Sequence, residues 1–274
     1  MLSVNTNSGA MIALQYLNKT ESDMQTTQTH INTGLKVATA KDDGATFAIA
    51  QNMRGNVSGY QAVSDSLNRG VSTVDVALSA GQSISDLLNE LKSKALAAAD
   101  ASLDTASRNA LNADFTALRD QITAIVQNAN FNGTNLVDGS VTSITALASA
   151  DGTKKITVAG IALKLSGTVV TIKSTSTIST QAKASSMISV INASVQNVNA
   201  ALAKLAAGSK KFTIQNDFVS KLVDTLNSGI GNLVDADMAV ESAKLQSLQV
   251  KQQLGVQALS IANSQPQIIL SLFK

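Results

Sequence analysis

With 274 residues and 44% hydrophobic content the chain can bury a sizeable core in one or two domains, yet aromatics are 3% and tryptophan is absent, so that core must be aliphatic packing. Charged residues are 15%, against roughly 25% in an ordinary soluble domain, and the net charge is +2 with Lys154-Lys155 and Lys210-Lys211 the only basic doublets; a nucleic-acid duplex finds no basic face here, and neighbouring copies would repel one another little. Absence of cysteine excludes a disulfide framework and a thiolate metal site, no run reaches the ~18 apolar residues of a membrane span, and Met1 to Gly9 lack a secretory leader pattern, so any export is expected through a dedicated route.

Residues 1–35 open on a helical stripe in which Ala10, Leu17, Met24 and Ile31 recur at a spacing of seven, with Leu14 and Leu35 beside them. Glu21, Thr27 and Gln28 between them are polar, so the stripe is too narrow for a stable lone helix and needs a partner. Thr33-Gly34 and Ala40 to Gly44 break the period. A second helix is expected over about 45–98, with Tyr60, Leu67, Val74, Gly81 and Leu88 in one heptad column and Val63, Gly70, Ala77, Ile84 and Leu91 in the other. Gly70 and Gly81 lower helix propensity but admit close approach of a facing backbone.

After a turn at Asp100 to Asp104, a third helix over about 104–129 carries Leu111, Phe115, Leu118, Ile122, Ile125 and Ala129 in the same rhythm and should fold back on the second. Asn130 to Gly133 end it, since asparagine and glycine accept left-handed backbone angles. From Leu136 to Thr180 the period becomes two. Segments 144–147, 155–158, 161–165 and 169–172 read as short strands, with Asp151-Gly152 and Ser166-Gly167 as hairpin turns.

Helicity resumes near Ala182. Ile191, Val195, Val198, Leu202, Leu205, Ser209, Phe212, Asn216, Val219, Val223, Leu226, Ile230 and Leu233, alternately four and three apart, form the cleanest seam of the chain, punctuated at Ser228 to Gly231 as a hinge. The last segment, 234–274, places Leu245, Leu248, Leu259 and Ala262 on one side and Val250, Leu254 and Ile261 on another. Pro266 is expected to interrupt or kink that helix, and the run Ile268 to Phe273 is an apolar tail that a free monomer gains nothing by exposing.

Little here points to catalysis. His30 is the only histidine, which argues against a zinc site and a histidine-assisted nucleophile and leaves it a polar surface or interface role. Asp42-Asp43 and Asp235/Asp237 are the clustered carboxylates, expected at helix starts where they meet free N–H groups. Asn18, Asn56 and Asn132 begin sequons that a chain without a secretory leader would not present for N-glycosylation, whereas Ser174, Thr175, Ser176 and Thr177 in a Ser/Thr-rich stretch are candidates for O-linked sugar.

Four segments in order carry a family resemblance: "VNTNSGAMIALQYL" (4–17), "INTGLKVATAKDDGATFAIAQNMRGNVSGY" (31–60), "NFNGTNLVDG" (130–139) and "LVDADMAVESAKLQSLQVKQQLGVQALSIANSQPQIILSLF" (233–273). Together they resemble bacterial flagellin over essentially the whole length, and the short middle is similar to the compact flagellins of alphaproteobacteria. Where family members usually carry Leu-Gly-Ala-x-x-Asn-Arg-Phe, this chain has Leu205 to Phe212 with Ala206, Ala207, Gly208 and Lys210-Lys211 between them, a departure from the pattern.

The periodicities and the resemblance together imply a mainly α fold: a long antiparallel helical coiled-coil rod, paired terminal helices and a small β-hairpin insertion. The expected domains are a channel-lining terminal coiled coil (1–40 plus 232–274), a helical rod (41–139 plus 182–231) and an outward β insertion (140–181). Terminal packing and the polymer interface fall to Leu14, Leu17, Met24, Ile31, Leu245, Leu248, Leu259 and Ala262. The rod seam falls to Leu67, Val74, Ile84, Leu88, Leu118, Ile122, Val198, Leu202, Val219 and Leu226, with sliding contacts between copies sought at Gly70, Gly81, Ala77, Ala206 and Ala207.

The implied function is a structural, non-enzymatic subunit that self-assembles helically into the extracellular flagellar filament for swimming. It needs no cofactor, makes no nucleic-acid contact and has no membrane insertion. The resemblance adds type III export of the unfolded chain, a flagellar export chaperone, filament cap and hook-junction proteins as partners, and sister flagellins as co-polymers. Two other readings stay open: a hook–filament junction protein, which resembles flagellin at both ends, and a helical signalling or adhesion module that binds through its seam.

Overall fold

The computed structural model describes residues 6–271, with side chains through 264. In chain order it contains α1 (Ser8–Thr33), α2 (Gly44–Ala98), α3 (Thr105–Asn128), β1 (Ser143–Leu147), β2 (Lys155–Ala159), α4 (Gln181–Val234) and α5 (Met238–Ser271). Local chemistry sets the boundaries. The Asn7 side chain accepts the Ala10 N–H at 3.1 Å to start α1, and Gly34, at φ 72°, ends it in the left-handed conformation that glycine adopts freely. Asp104 caps α3 by accepting the Ser107 N–H at 2.8 Å.

Three expectations give way. Helix α4 runs unbroken through Ser228 to Gly231, so no hinge interrupts it; two glycines cost helix propensity but leave every backbone bond in place. Helix α5 likewise continues through Pro266 to Ser271, because a proline removes one backbone hydrogen bond and the turns on either side retain theirs. The side chains of the Ile268 to Phe273 tail lie outside the described residues. Of the four expected strands, only two pair: β1 and β2 are antiparallel, Ser143 opposite Ala159 through Leu147 opposite Lys155. Segments 161–165 and 169–172 bond elsewhere, Ile161 N–H to Leu136 O at 2.8 Å and Leu163 N–H to Val137 O at 2.7 Å, and close on each other through Ser166 N–H to Ile172 O at 2.8 Å. Alternation there reflects burial of Leu163, Val170 and Ile172, not a ladder.

The chain divides into two units, Asn56–Asp224 and the two ends, Met1–Gly55 with Thr225–Lys274. Within the first, one core gathers Val63, Leu67, Val74, Ile84, Leu88 and Leu91 of α2, Phe115, Ile122 and Val126 of α3, and Ile191, Val198, Leu205, Phe212 and Val219 of α4, all buried. The α4 members are seven apart; the intervening Val195 and Leu202 pack half-buried against the same core. Contacts Ser64 to Asn216 (2.7 Å) and Ser209 to Asp75 (3.2 Å) place α2 and α4 antiparallel. A Cβ at Gly70 would lie 3.0 Å from the Phe212 ring, and one at Gly81 2.6 Å from Leu202 Cδ2. These glycines therefore admit large side chains of their own chain rather than a facing backbone.

Two buried polar residues that periodicity does not mark pin the irregular segments. Asn135 donates from Nδ2 to Val126 O at 2.7 Å, and its Oδ1 accepts the N–H groups of Val137 (2.9 Å) and Asp138 (3.1 Å). Arg119, 7% exposed, donates from Nη1 to Ser176 O at 2.8 Å, while its Nε and Nη2 hold Asp120 Oδ1. Replacing Asn135 by alanine strands a buried carbonyl and two N–H groups, so a loss of about 3 kcal/mol is expected in urea unfolding followed by circular dichroism. A loss below about 0.5 kcal/mol would show that water reaches these groups instead.

Candidate functional site

The two chain ends meet at a joint of backbone hydrogen bonds. Leu35 and Asp235 form an isolated antiparallel bridge, with Lys36 N–H to Val234 O at 2.8 Å, Val37 N–H to Val234 O at 3.3 Å and Ala236 N–H to Gly34 O at 2.8 Å. The side chains of Val37, Ala50, Ile230 and Val234 are buried in this unit. Asp43 accepts from Ala45 and Thr46 at the start of α2, and Asp237 from Ala239 and Val240 at the start of α5, so both are helix caps. Asp42 and Asp235 are not caps. Asp42 Oδ2 holds the loop by accepting from the N–H groups of Ala38 and Thr39, and Asp235 lies in the bridge, where a Cβ on Gly231 would come within 2.6 Å of its carboxylate.

These hydrogen bonds lower the carboxyl pKa values: at Asp42 chiefly the Thr39 N–H, at Asp43 chiefly the Thr46 hydroxyl, both below the ordinary 3.8. A group whose folded pKa is depressed contributes stability above its unfolded value and loses it as pH falls through the folded one. The loop contacts made by Asp42 and Asp43 are therefore expected to be fully present above about pH 3.8 and to weaken progressively as pH falls below it through the lower folded values. Limited pepsin cleavage across this segment between about pH 4 and pH 2, relative to an unfolded control peptide, reads the opening; Asp42→Asn should show a smaller rise, and Asp42→Asn with Asp43→Asn none.

Beyond the joint, α1 packs along α5. Three contacts fix an antiparallel register: Asn7 Nδ2 to Ala262 O at 2.7 Å, Leu17 Cδ1 3.3 Å from where a Cβ on Gly255 would stand, and His30 Nδ1 to Glu241 Oε1 at 3.1 Å. Propagated along both helices, this register brings Ala10, Ala13, Leu17, Thr20, Met24, Thr27 and Ile31 opposite Ala262, Leu259, Gly255, Gln252, Leu248, Leu245 and Glu241. Every one of these residues is buried or half-buried, Thr27 and Leu248 fully.

The residues singled out from sequence divide accordingly. Leu17, Met24, Ile31, Leu245, Leu248, Leu259 and Ala262 lie on the shared face, whereas Leu14 is 47% exposed beside it. Thr27, His30, Gln252, Gly255 and Glu241 escaped apolar counting because they are polar or lack a side chain. Their heptad positions were the available signal. Of the seam residues, Leu67, Val74, Ile84, Leu88, Ile122, Val198 and Val219 are buried, Leu118 and Leu202 half-buried against the same core, and Leu226 half-buried in the terminal unit. Gly70, Gly81 and Ala77 are interior to their own unit, which removes them as contacts between copies, while Ala206 and Ala207 are exposed. Ser174 and Thr175 are exposed; Ser176 and Thr177 are half-buried, and the Ser176 hydroxyl already accepts the Lys173 N–H.

Pairing leaves much apolar surface uncovered. On α1, Met11, Ile12, Leu14 and Tyr16 are exposed, the last by 69%; on α5, Met238, Val240, Val250, Leu254, Val256 and Ile261 are exposed, the last by 66%. In the register above, positions 11–16 face 256–261, so the exposed side chains of α1 gather with Val256 and Ile261 at one end of the helix pair, while Met238, Val240 and Val250 continue the apolar surface of α5 toward the joint. Toward the joint, Asn18, Lys19, Glu21, Ser22 and Asp23 occupy the exposed face of α1. A groove of about 710 Å³ between β2 and α4, lined by Thr157, Asn197, Lys204 and Lys211, contains no acid–base pair. No cluster of three metal-ligating side chains occurs among the described residues.

Residues 4–142 match the family profile described as the bacterial flagellin N-terminal helical region, and residues 188–273 the C-terminal helical region. Flagellins FljK and FljM of Caulobacter vibrioides are 54% and 53% identical to the chain, each alignment covering 99% of it and 98% of the relative. A solved Vibrio parahaemolyticus chain described as a flagellar hook-associated protein shares the fold at TM-score 0.58 and 13% identity, over 71% of this chain and 100% of that one.

Proposed function

The chain belongs to the bacterial flagellin family, and from that membership we propose that it polymerises through the uncovered apolar end of its terminal helix pair. It is a structural subunit of the flagellar filament and not an enzyme. The observation that supports the route is the crowding of Met11, Ile12, Tyr16, Leu254, Val256 and Ile261, each more than half exposed, at one end of α1 and α5. Each such side chain, already partly covered, stands to gain about 1–2 kcal/mol on full burial, and a monomer leaves that gain unused. A contact between unlike faces, repeated by rotation and rise, gives an open helical polymer.

The finer reading follows the same logic. The terminal coiled coil is 1–40 with 232–274 and lines the filament channel; the rod is 41–139 with 182–231; residues 140–181 face outward, where Ser174 and Thr175 are the positions open to O-linked sugar. The occurrence of several such relatives in one organism supports co-polymers with sister flagellins. An export chaperone, the filament cap and hook-junction proteins are the other partners, and type III export is the route out. The test is electron microscopy of the purified chain after salt-induced assembly. Long uniform fibres are expected; short caps or rings point to a junction protein, and persistent monomers to an adhesion module.

A further inference from the structure

We infer that Asn132-Gly133 is a site of spontaneous succinimide and isoaspartate formation that folding closes, with the Asn130 side chain as its latch. The inference lies beyond the assembly reading and needs no part of it.

The chain contains a single Asn-Gly step. Glycine puts no side chain beside its own amide nitrogen, so that nitrogen can reach the amide carbon of the preceding asparagine. The step balances with water alone. Hydroxide removes the Gly133 N–H proton, the nitrogen bonds to Asn132 Cγ, and the side-chain nitrogen takes a proton from water and leaves as ammonia. Water then opens the cyclic imide at either carbonyl. Opening one way gives aspartate; opening the other gives isoaspartate, in which the main chain runs through the side-chain carbon and is lengthened by a methylene.

The fold opposes each requirement of that reaction. Phe131 N–H to Thr134 O and Thr134 N–H to Phe131 O, both 2.9 Å, close a two-residue turn whose central residues, Asn132 and Gly133, have φ 48° and 80°. Positive values at both positions make it a type I′ turn, the form that Asn-Gly favours. There ψ of the first central residue is about +30°, which sets Asn132 Cβ almost opposite Gly133 N about the Cα–C bond, whereas ring closure needs the two eclipsed. The Gly133 N–H also donates to Asn130 Oδ1 at 2.8 Å, so the proton that base must remove is already held. Asn132 and Gly133 are exposed, so water reaches them and it is geometry that withholds the reaction. The three Asp-Gly steps, at Asp43, Asp138 and Asp151, form the same ring from the protonated carboxyl. Hydrogen bonds, chiefly from the hydroxyls of Thr46, Ser140 and Ser149, hold those carboxyls below the ordinary 3.8 and keep them ionised at neutral pH.

The turn borders a groove shared with Ser66, Gly70 and Thr73 of α2 and Ile144 of β1, where the chain leaves α3 for the segment that Asn135 pins. A main chain lengthened at position 132 no longer matches the Phe131–Thr134 bridge. Copies that wait unfolded therefore acquire a mark that folded copies escape, and the mark hinders the turn from closing again.

The test follows isoaspartate at position 132 by peptide mapping with mass spectrometry, after incubation of the full chain in mildly alkaline buffer with and without guanidinium chloride. Conversion in denaturant should be at least about tenfold faster than in the folded chain. Folded Asn130→Ala should convert about fivefold faster than the native chain, the factor that one lost hydrogen bond of ordinary net strength implies. Asn130→Asp, which keeps an acceptor oxygen in place, should stay near the native rate. Circular dichroism checks that each variant is folded. Amide hydrogen exchange at Gly133 in the native chain needs no variant and decides the matter if Asn130→Ala does not fold: the amide should be protected although its residue is exposed. Equal conversion with and without denaturant, an Asn130→Ala rate equal to the native one, an Asn130→Asp rate equal to that of Asn130→Ala, or an unprotected Gly133 amide each overturns the inference.

Discussion

Filaments should not form from a chain lacking residues 242–274, although the Asn56–Asp224 unit should fold as before. That unit has its own core and takes no residue from α5. Helix α1, by contrast, has one fully buried residue, Thr27, and its half-buried Leu17, Met24 and Ile31 have α5 as their partner. A 26-residue helix with so narrow an apolar stripe is marginal alone in water, so truncation should melt α1 as well as remove α5. The expected result is a soluble protein with reduced helix content by circular dichroism and no fibres by microscopy at any salt concentration. Fibres from the truncated chain would place the polymer contacts in the other unit.

Phe212→Ala is expected to cost about 4 kcal/mol of the stability of the Asn56–Asp224 unit. Phe212 is fully buried, and its ring rests over Gly70, whose missing Cβ makes the space for it. Truncation removes the burial and leaves a cavity whose wall is helix backbone, which cannot collapse into it. The coupling sharpens the test. Gly70→Ala alone should destabilise by crowding the ring, yet in the Phe212→Ala background the new methyl enters vacated space and the helix gains propensity, so its effect should turn favourable by about 1 kcal/mol. Urea unfolding of the four proteins measures the cycle; strictly additive effects would mean that Phe212 and Gly70 do not share this space.

Much of this was legible beforehand where one physical signal dominated. The heptad columns of α2, α3 and α4 mark the core because antiparallel helices bury a stripe with that period, and helix limits followed from Asp104, Gly34 and the Asn130 turn. Misreadings arose where a residue type was taken for its usual effect. Gly229 and Gly231 suggested a hinge, but glycine weakens a helix without breaking its bonds. The alternating runs at 161–165 and 169–172 suggested strands, but alternation records which side faces a core and not what the backbone pairs with. Gly70 and Gly81 suggested close backbones, and the facing helix supplies Phe212 and Leu202 instead.

At the terminal pair, apolar spacing located Leu17, Met24, Leu248 and Leu259 but could not rank registers, because small residues and a seven-residue repeat make several alignments nearly equal. The joint at 34–37 and 234–236 sets the alignment, and His30 and Glu241, which meet across the pair, are 211 positions apart and carry no mutual signal in one sequence. Likewise Asn135 and Arg119 act through backbone groups of irregular segments, which periodicity does not address.

A helical reconstruction of assembled filaments, at a resolution that shows side chains, tests the central claim most directly. Met11, Ile12, Tyr16, Leu254, Val256 and Ile261 should all lie against neighbouring copies and be shielded from water. Filaments in which these six side chains face solvent, with copies joined only through residues 56–224, would contradict it.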